Sequence, residues 1–162
     1  MPQSVAAVPA LVCVDPARVA EIWPHVAPLV AAALARGGDG DLAAVECALA
    51  GGRALLWLAW DGKTILAAAV TEVARLHGET LCTILACGGK GFDRFGALIA
   101  GLERHARAEG CARMRIAGRR GWARVLRDYR VKSVVIEKDL SRPHPEEHAR
   151  SACVSKDGHN QQ

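Results

Sequence analysis

The chain has 162 residues, of which 51% are hydrophobic, so its length fits one domain with a single core rather than several domains. Its formal net charge of +4 indicates mild attraction to anions, which by itself does not mark a dedicated nucleic-acid-binding protein. No apolar run approaches the roughly 20 residues of a membrane-spanning helix, so we expect no such segment.

The first half of the chain alternates apolar runs with the Gly, Pro and Asp signals that mark the ends of helices and strands. After a flexible lead-in at residues 1–9, the signals predict a strand at 10–14, helices at 15–36 and 41–50, and strands at 53–60, 64–75 and 80–87. Asp15-Pro16 and Asp41 begin the two helices, and Pro24 and Pro28 are expected to kink or split the first.

A glycine-rich bend at residues 88–92 follows the fourth strand and leads into a helix. Gly88, Gly89 and Gly91 have no side chains there, so backbone N–H groups are expected to face a phosphate. Lys90 adds a positive charge to the same loop. The bend therefore predicts a nucleotide or coenzyme site.

The remaining elements follow the same signals. They are predicted as a helix at 93–108 ended by Gly110, a strand at 111–117, a helix at 120–129 and a final strand at 131–140. From Ser141 onward the chain has almost no large apolar residues, so a disordered tail at 141–162 is expected beyond a domain at 10–140.

This order of elements, with a glycine-rich bend after the fourth strand, resembles the GNAT N-acetyltransferase superfamily. The resemblance covers about residues 10–140 and is clearest from Leu81 to Val131. It implies an α/β fold whose mixed, mainly antiparallel sheet splays open after the fourth strand and carries helices on both faces. It also implies acyl transfer from acetyl-CoA to an amine whose identity the sequence does not give.

The same resemblance assigns the acetyl-CoA site to the end of the fourth strand and the bend. The pantetheine arm would pair with free strand backbone, and the pyrophosphate would sit on N–H groups at the start of the next helix. The residues implied are Leu85, Ala86, Cys87, Gly88, Gly89, Lys90, Gly91, Phe92, Arg94 and Gly96. The loop departs from the family pattern Gln/Arg-x-x-Gly-x-Gly/Ala, and Asp93 places a negative charge beside it.

Two residues are candidates for acid–base catalysis. Many GNAT proteins carry a tyrosine in the last helix that protonates the departing thiolate; here Leu126 stands at that position and Tyr129 follows three residues later. A carboxylate base near the middle strands is expected to be Glu72, with Glu79 as the other candidate. The alternatives are a packing role for Tyr129 and a solvated surface position for each glutamate.

Basic residues dominate the segment from Arg104 to Lys132, with ten basic and two acidic side chains. Arg120, Arg124 and Arg127 fall at helical spacing and are predicted to share one helix face. This face is either solvated or an anion-binding surface for coenzyme phosphates or nucleic acid. The second reading supports an alternative function, a catalytically inactive GNAT-like module that binds a protein or nucleic-acid partner.

The six cysteines form no CxxC pair and no zinc-like spacing with histidine, so reduced core cysteines and no bound metal are expected. The N-terminal apolar stretch lacks a basic region and is cut short by Asp15 and Pro16, which argues against a signal peptide. These features predict a cytoplasmic protein. The tail pattern RPHPEE…SKDG resembles a translated bacterial repeat element, which implies a bacterial chain with a functionless addition.

Overall fold

The computed structural model describes residues 9–37, 40–90, 95–138 and 140. The chain divides into two compact units, Met1–Leu126 and Arg127–Gln162. Every helix and strand among the described residues belongs to the first unit. The predicted limits of the domain at 10–140 stay a prediction.

Five strands form one sheet in the first unit. They are β1 Ala10–Cys13, β2 Ala54–Trp60, β3 Ile65–Leu76, β4 Glu79–Gly89 and β5 Arg113–Ile116. Their order in the sheet is β1-β2-β3-β4-β5. The first four strands pair antiparallel, and β5 pairs parallel to β4, which confirms the predicted mixed, mainly antiparallel sheet.

Two helices cover one face of the sheet. A short 3-10 turn at Pro16–Arg18 leads into α1 Val19–Gly37, and α2 spans Leu42–Ala50. The Asp15 and Asp41 carboxylates accept backbone hydrogen bonds that cap the 3-10 turn and α2, as the sequence predicts. The buried residues on α1 recur every three or four positions, at Trp23, Val26, Val30 and Leu34. They pack into a core with alternate residues of β2 and β3.

The predicted split of the first helix at proline is wrong, because α1 is one element from Val19 to Gly37, and the other predicted effect, a kink, stays a prediction. Pro24 and Pro28 are both exposed and lie four residues apart, so they share the solvent face of the helix. The carbonyls that lose their N–H partners lie on that same side, where water can serve them.

The third helix, α3 Phe95–Ala108, covers the opposite face. Its buried hydrophobic residues are Leu98, Ile99, Leu102 and Ala106. Gly110, at φ 72°, ends the helix in a Schellman motif, with the Cys111 amide donating to the Ala106 carbonyl at 2.9 Å. On this face the Trp57 indole Nε1 donates a hydrogen bond to Oγ1 of buried Thr71 at 2.9 Å. The His105 ring lies edge-on to the Trp57 ring, with 4.7 Å between the ring centroids.

The C-terminal predictions differ from the structure. The predicted helix at 120–129 is a single turn, α4 Trp122–Val125, which buries no side chain. Arg120 and Arg127 therefore lie outside it and do not form the predicted basic helix face with Arg124. The predicted final strand is also wrong, since the described residues from 131 to 138 carry no strand. The predicted tail at 141–162 lies outside the described residues.

Candidate functional site

The sheet forks between β4 and β5. Their parallel register runs from Leu81 opposite Arg113 to Ile84 opposite Ile116, and the Ala117 amide donates to the Ile84 carbonyl at 3.2 Å. Beyond this point β5 ends, whereas β4 continues to Gly89 with β3 alone as its partner among the described strands. The fork is defined here as the gap beside β4 residues 85–89.

A β-bulge lies at the start of the fork. Thr71 of β3 stands opposite Ile84, and Val70 stands opposite Ala86, so Leu85 is an extra residue on β4. A bulge of this kind bends the strand and increases its twist. It therefore helps to turn β4 away from β5 where the two strands separate.

The backbone of β4 faces the fork at alternate residues. The Lys90 amide donates to the Leu66 carbonyl at 3.0 Å, which makes these two residues a hydrogen-bonded antiparallel pair. Because such pairs alternate along a ladder, Gly88 also faces β3, while Cys87 and Gly89 direct their polar groups toward the fork. The prediction that residues 88 and 89 belong to a bend is therefore wrong, and the expected free amide of Lys90 is bonded within the sheet.

Close packing accounts for glycine at positions 88 and 89. A Cβ added to Gly88 would collide with the carbonyl oxygen of Leu29 and lie 3.1 Å from the Ala33 methyl. A Cβ added to Gly89 would lie 2.6 Å from Cα of Ala67 on the neighbouring strand. Both glycines are thus needed for the approach of α1 and β3 to β4, independently of any phosphate.

Helix α1 crosses the fork on one face of the sheet. Leu29 and Ala33 lie against Gly88 of β4, and one turn later an added Cβ at Gly37 would lie 3.3 Å from Cα of Gly118, just after β5. Glycine at 37 and 118 allows this close backbone approach. The last turn of α1 therefore bounds the fork on the face opposite α3.

Glu72 lies in a row of residues on that same face, beside the fork. The register places Glu72 opposite Thr83 and Thr83 opposite Arg115, one position before the last paired residue, Ile84. Two strand spacings separate Glu72 from Arg115, about 10 Å between Cα atoms. Sequence reasoning did not place Arg115 in one row with Glu72, because pairing between distant strands leaves no local signal; the alternation of Arg113 and Arg115 with Met114 was the available hint.

The other carboxylate candidate is already engaged. Glu79 forms an ion pair with Arg113 across the start of β4 and β5. A carboxylate that already holds a guanidinium is not free to approach an amine. Glu72 is in no ion pair among the described residues, so it is the better placed of the two.

Cys87 lies at the fork on the face that α3 covers, opposite Ala69 of β3. Burial raises the pKa of its thiol from 9.0 to about 12. At neutral pH the side chain is therefore a neutral thiol and not a thiolate nucleophile. Its contribution at the fork comes from its backbone.

Five predicted site residues lie outside the described residues, elsewhere in the first unit or in the second unit. Gly91, Phe92 and Arg94 lie outside the described residues. Gly96 is exposed in the first turn of α3, with open space where a Cβ would stand. Tyr129 belongs to the second unit, where it lies outside any helix, and its role stays a prediction.

The part of the chain that the structure describes contains neither a metal-binding group nor a membrane-spanning helix. There, no three His, Cys, Asp or Glu side chains are grouped in a way that would hold a metal ion. In the same residues, no helix combines the length and apolarity needed to cross a bilayer.

No family model matches the chain, and no curated protein matches it in sequence. Solved structures do match its fold. A predicted acetyltransferase from Clostridium acetobutylicum, solved with acetyl-CoA, is similar with a TM-score of 0.61 and 12% identity, over 84% of this chain and 99% of that one. A GNAT family acetyltransferase from Staphylococcus aureus is similar with a TM-score of 0.57 and 12% identity, over 82% of this chain and 99% of that one.

An aminoglycoside acetyltransferase from an uncultured soil sample, in complex with sisomicin, is similar with a TM-score of 0.61 and 10% identity, over 82% of this chain and 97% of that one. Identities this low carry information on the fold alone. The fold of the chain nevertheless matches these structures over 97% to 99% of their length. The chain therefore has the fold of the GNAT N-acetyltransferases, which confirms at that level the resemblance seen in its sequence.

Proposed function

We propose that the protein is an N-acetyltransferase that transfers the acetyl group of acetyl-CoA to an amine. The observation that carries this proposal is the stretch of β4 beyond Ile84, where Cys87 and Gly89 direct backbone groups into a fork without a pairing strand. An amide-bearing chain such as pantetheine can pair with this backbone as a missing strand would. Structures of the same fold include one solved with acetyl-CoA, which supports the choice of ligand.

The reaction requires little covalent help from the protein. The amine nitrogen attacks the thioester carbonyl carbon, the carbonyl oxygen takes up negative charge, and the C–S bond then breaks to release the thiolate and the amide. A backbone N–H of β4 at the fork would stabilise the oxyanion, and the paired pantetheine would hold the carbonyl in place. A thiol has a pKa near 8.5, so the thiolate leaves readily and takes its proton from water.

Glu72 is proposed as the base that takes a proton from the acceptor ammonium, which frees the nitrogen lone pair to attack the thioester. It lies on the α1 face of the sheet, on β3 opposite Thr83, which is two residues before the fork begins on β4, and it is half-buried. The acceptor amine would then approach from the α1 face, while the coenzyme phosphates would lie toward the start of α3. This arrangement places the two substrates on opposite sides of the thioester.

Ligand-induced stabilisation tests coenzyme binding. Acetyl-CoA at about a hundred times its dissociation constant is expected to stabilise the protein by about 2.7 kcal/mol, seen as a rise in melting temperature. Gly91→Asp places a carboxylate beside the proposed pyrophosphate site and is expected to abolish the rise. Ala44→Asp, which adds the same charge to an exposed position of α2, should leave it unchanged. No stabilisation at millimolar acetyl-CoA would contradict the proposal.

A substitution at Glu72 tests catalysis separately from coenzyme binding. Glu72→Gln is expected to lower kcat by about 10²–10⁴-fold at neutral pH, with activity recovering as the pH approaches the amine pKa. The measurement is release of the CoA thiol with a panel of primary amines. An unchanged kcat and pH profile would remove Glu72 from the mechanism while leaving coenzyme binding intact.

A further inference from the structure

A strip of arginines runs along β5 and the residues that follow it. Residues 113–124 contain five arginines and no acidic residue. All five side chains are exposed, at Arg113, Arg115, Arg119, Arg120 and Arg124. These five residues, which lie within the first unit, are called the arginine strip below.

Three of the five arginines have no ion-pair partner among the described residues. Arg113 is paired with Glu79, and the side chain of Arg119 lies 3.7 Å from where a Cβ would stand on Gly121. The other three, Arg115, Arg120 and Arg124, are in no ion pair with any residue that the structure describes. Clustered positive charge of this kind attracts anionic molecules and repels polycationic ones.

The strip begins beside the proposed reaction centre. Arg115 shares a row with Thr83 and Glu72 on the α1 face of the sheet, next to the fork. Glu72 would accept the proton of the acceptor amine there, about 10 Å away from Arg115 between Cα atoms. An acceptor held by the strip would therefore present its amine to Glu72 and its negative charges to the arginines.

The surroundings of the strip disfavour nucleic acid. Single-stranded nucleic acid is held by aromatic faces on which bases stack. The indole of Trp122 instead lies against Gly118, where an added Cβ would be 3.2 Å from its Nε1. Helix α4 has four residues, which is too short to serve as a recognition helix in a major groove.

The spacing within the strip fits an extended peptide. Arg113 and Arg115 lie two residues apart on a strand, which places them on one face about 7 Å apart. Carboxylates at alternate positions of an extended peptide repeat at this same distance. Arg115 could then pair with one carboxylate of such a peptide, and Arg113 could pair with the next by exchanging its present partner, Glu79.

We infer that the acceptor is an acidic polypeptide, which the arginine strip holds in extended form so that its amine reaches Glu72. The acetylation of that polypeptide rests on the proposed function, but its binding to the strip does not. Binding is therefore measured in the absence of acetyl-CoA, which separates a failure of this inference from a failure of the acetyltransferase assignment.

The probe is a fluorescein-labelled peptide of about twelve residues that is rich in glutamate and carries one lysine; its counterpart has glutamine at each glutamate position. Fluorescence anisotropy is expected to show about tenfold tighter binding of the glutamate peptide at about 50 mM salt, falling toward the glutamine peptide at about 200 mM. Equal affinity for the two peptides at low salt would overturn the inference.

Charge-removing variants locate the binding surface. Arg115→Gln/Arg120→Gln/Arg124→Gln is expected to weaken binding of the glutamate peptide about tenfold and to leave the glutamine peptide unaffected. The matched control Arg18→Gln/Arg53→Gln/Lys63→Gln removes three exposed charges elsewhere in the same unit and should retain the affinity. An equal loss of affinity for the glutamate peptide in both variants would overturn the assignment of the binding surface to the arginine strip.

A further arm distinguishes the class of macromolecule. Oligothymidylate of the same net charge as the glutamate peptide is expected to bind more weakly, since no stacking platform is offered. Tighter binding of the oligonucleotide, lost in the triple variant of the strip, would overturn the choice of a polypeptide. In the active enzyme, the triple variant should raise KM for the glutamate peptide and leave kcat unchanged.

Discussion

Single residues at the fork show how packing and binding place similar demands on a sequence. Gly88 looks like part of a phosphate-binding bend because it follows an apolar strand and precedes a helix. In the structure it is a residue of β4 against which the backbone of α1 lies directly, at Leu29. A glycine required for close approach of two elements leaves the same local pattern as one required by a phosphate, so only the tertiary contact separates the two roles.

A pair of glycine substitutions tests this account. Gly88→Ala would force α1 away from β4, since the obstructing atom is a backbone carbonyl, and is expected to destabilise the protein by about 1–3 kcal/mol. Gly96→Ala meets no atom within 4 Å in α3 and is expected to stabilise by about 0.5–1 kcal/mol. Urea unfolding measures both. Gly88→Ala with wild-type stability would show that α1 does not rest on this residue in solution.

At the scale of elements, β4 is the strand on which the site depends. It is paired on both sides up to Ile84 and on one side beyond it, so a single strand supplies both core packing and an open backbone edge. The surroundings of its two cysteines differ accordingly. Cys82 is fully buried between β3 and β5, and Cys87 lies beside the fork.

These two thiols make the stability of the protein sensitive to alkaline pH. Burial raises the pKa of Cys82 to about 11 and that of Cys87 to about 12, from 9.0. Above pH 9 the unfolded chain releases protons that the folded chain retains, so the stabilisation present below pH 9 is lost as the pH rises toward 11 and 12. Each thiol contributes a slope of up to about 1.4 kcal/mol per pH unit.

The measurement is the free energy of unfolding in urea between about pH 8 and 10.5. Cys82→Ala/Cys87→Ala is expected to show a shallower decline than the wild type, whatever its stability at pH 8. Cys47→Ala, at an exposed position of α2, should keep the wild-type decline. If the free energy of unfolding declined equally with pH in the wild type and the double variant, burial would not raise the pKa of either thiol.

At the scale of the whole molecule, the sequence predicted those elements whose signals are local. Asp15 and Asp41 cap their helices, Gly110 ends α3, and alternating apolar residues mark β2 and β3, so the order up to β5 was predictable. The fork and the row containing Glu72 were not predictable, because they depend on which residues of neighbouring strands lie opposite each other. The prediction of a final strand is wrong because a β-branched run has strand propensity but forms a strand only when it pairs with another strand.

That final segment leads to a prediction for the chain as a whole. Five apolar residues after Arg130 are 64% to 92% exposed, at Val131, Val134, Val135, Ile136 and Leu140. Side chains this exposed bury little area, so a chain ending at Leu126 is expected to keep its melting temperature within about 3 °C and to aggregate less. A control ending at Gly110 removes β5 and should unfold. If the chain ending at Leu126 loses more than about 8 °C, the segment contributes to the folded core in solution, and the division of the molecule at Leu126 is wrong.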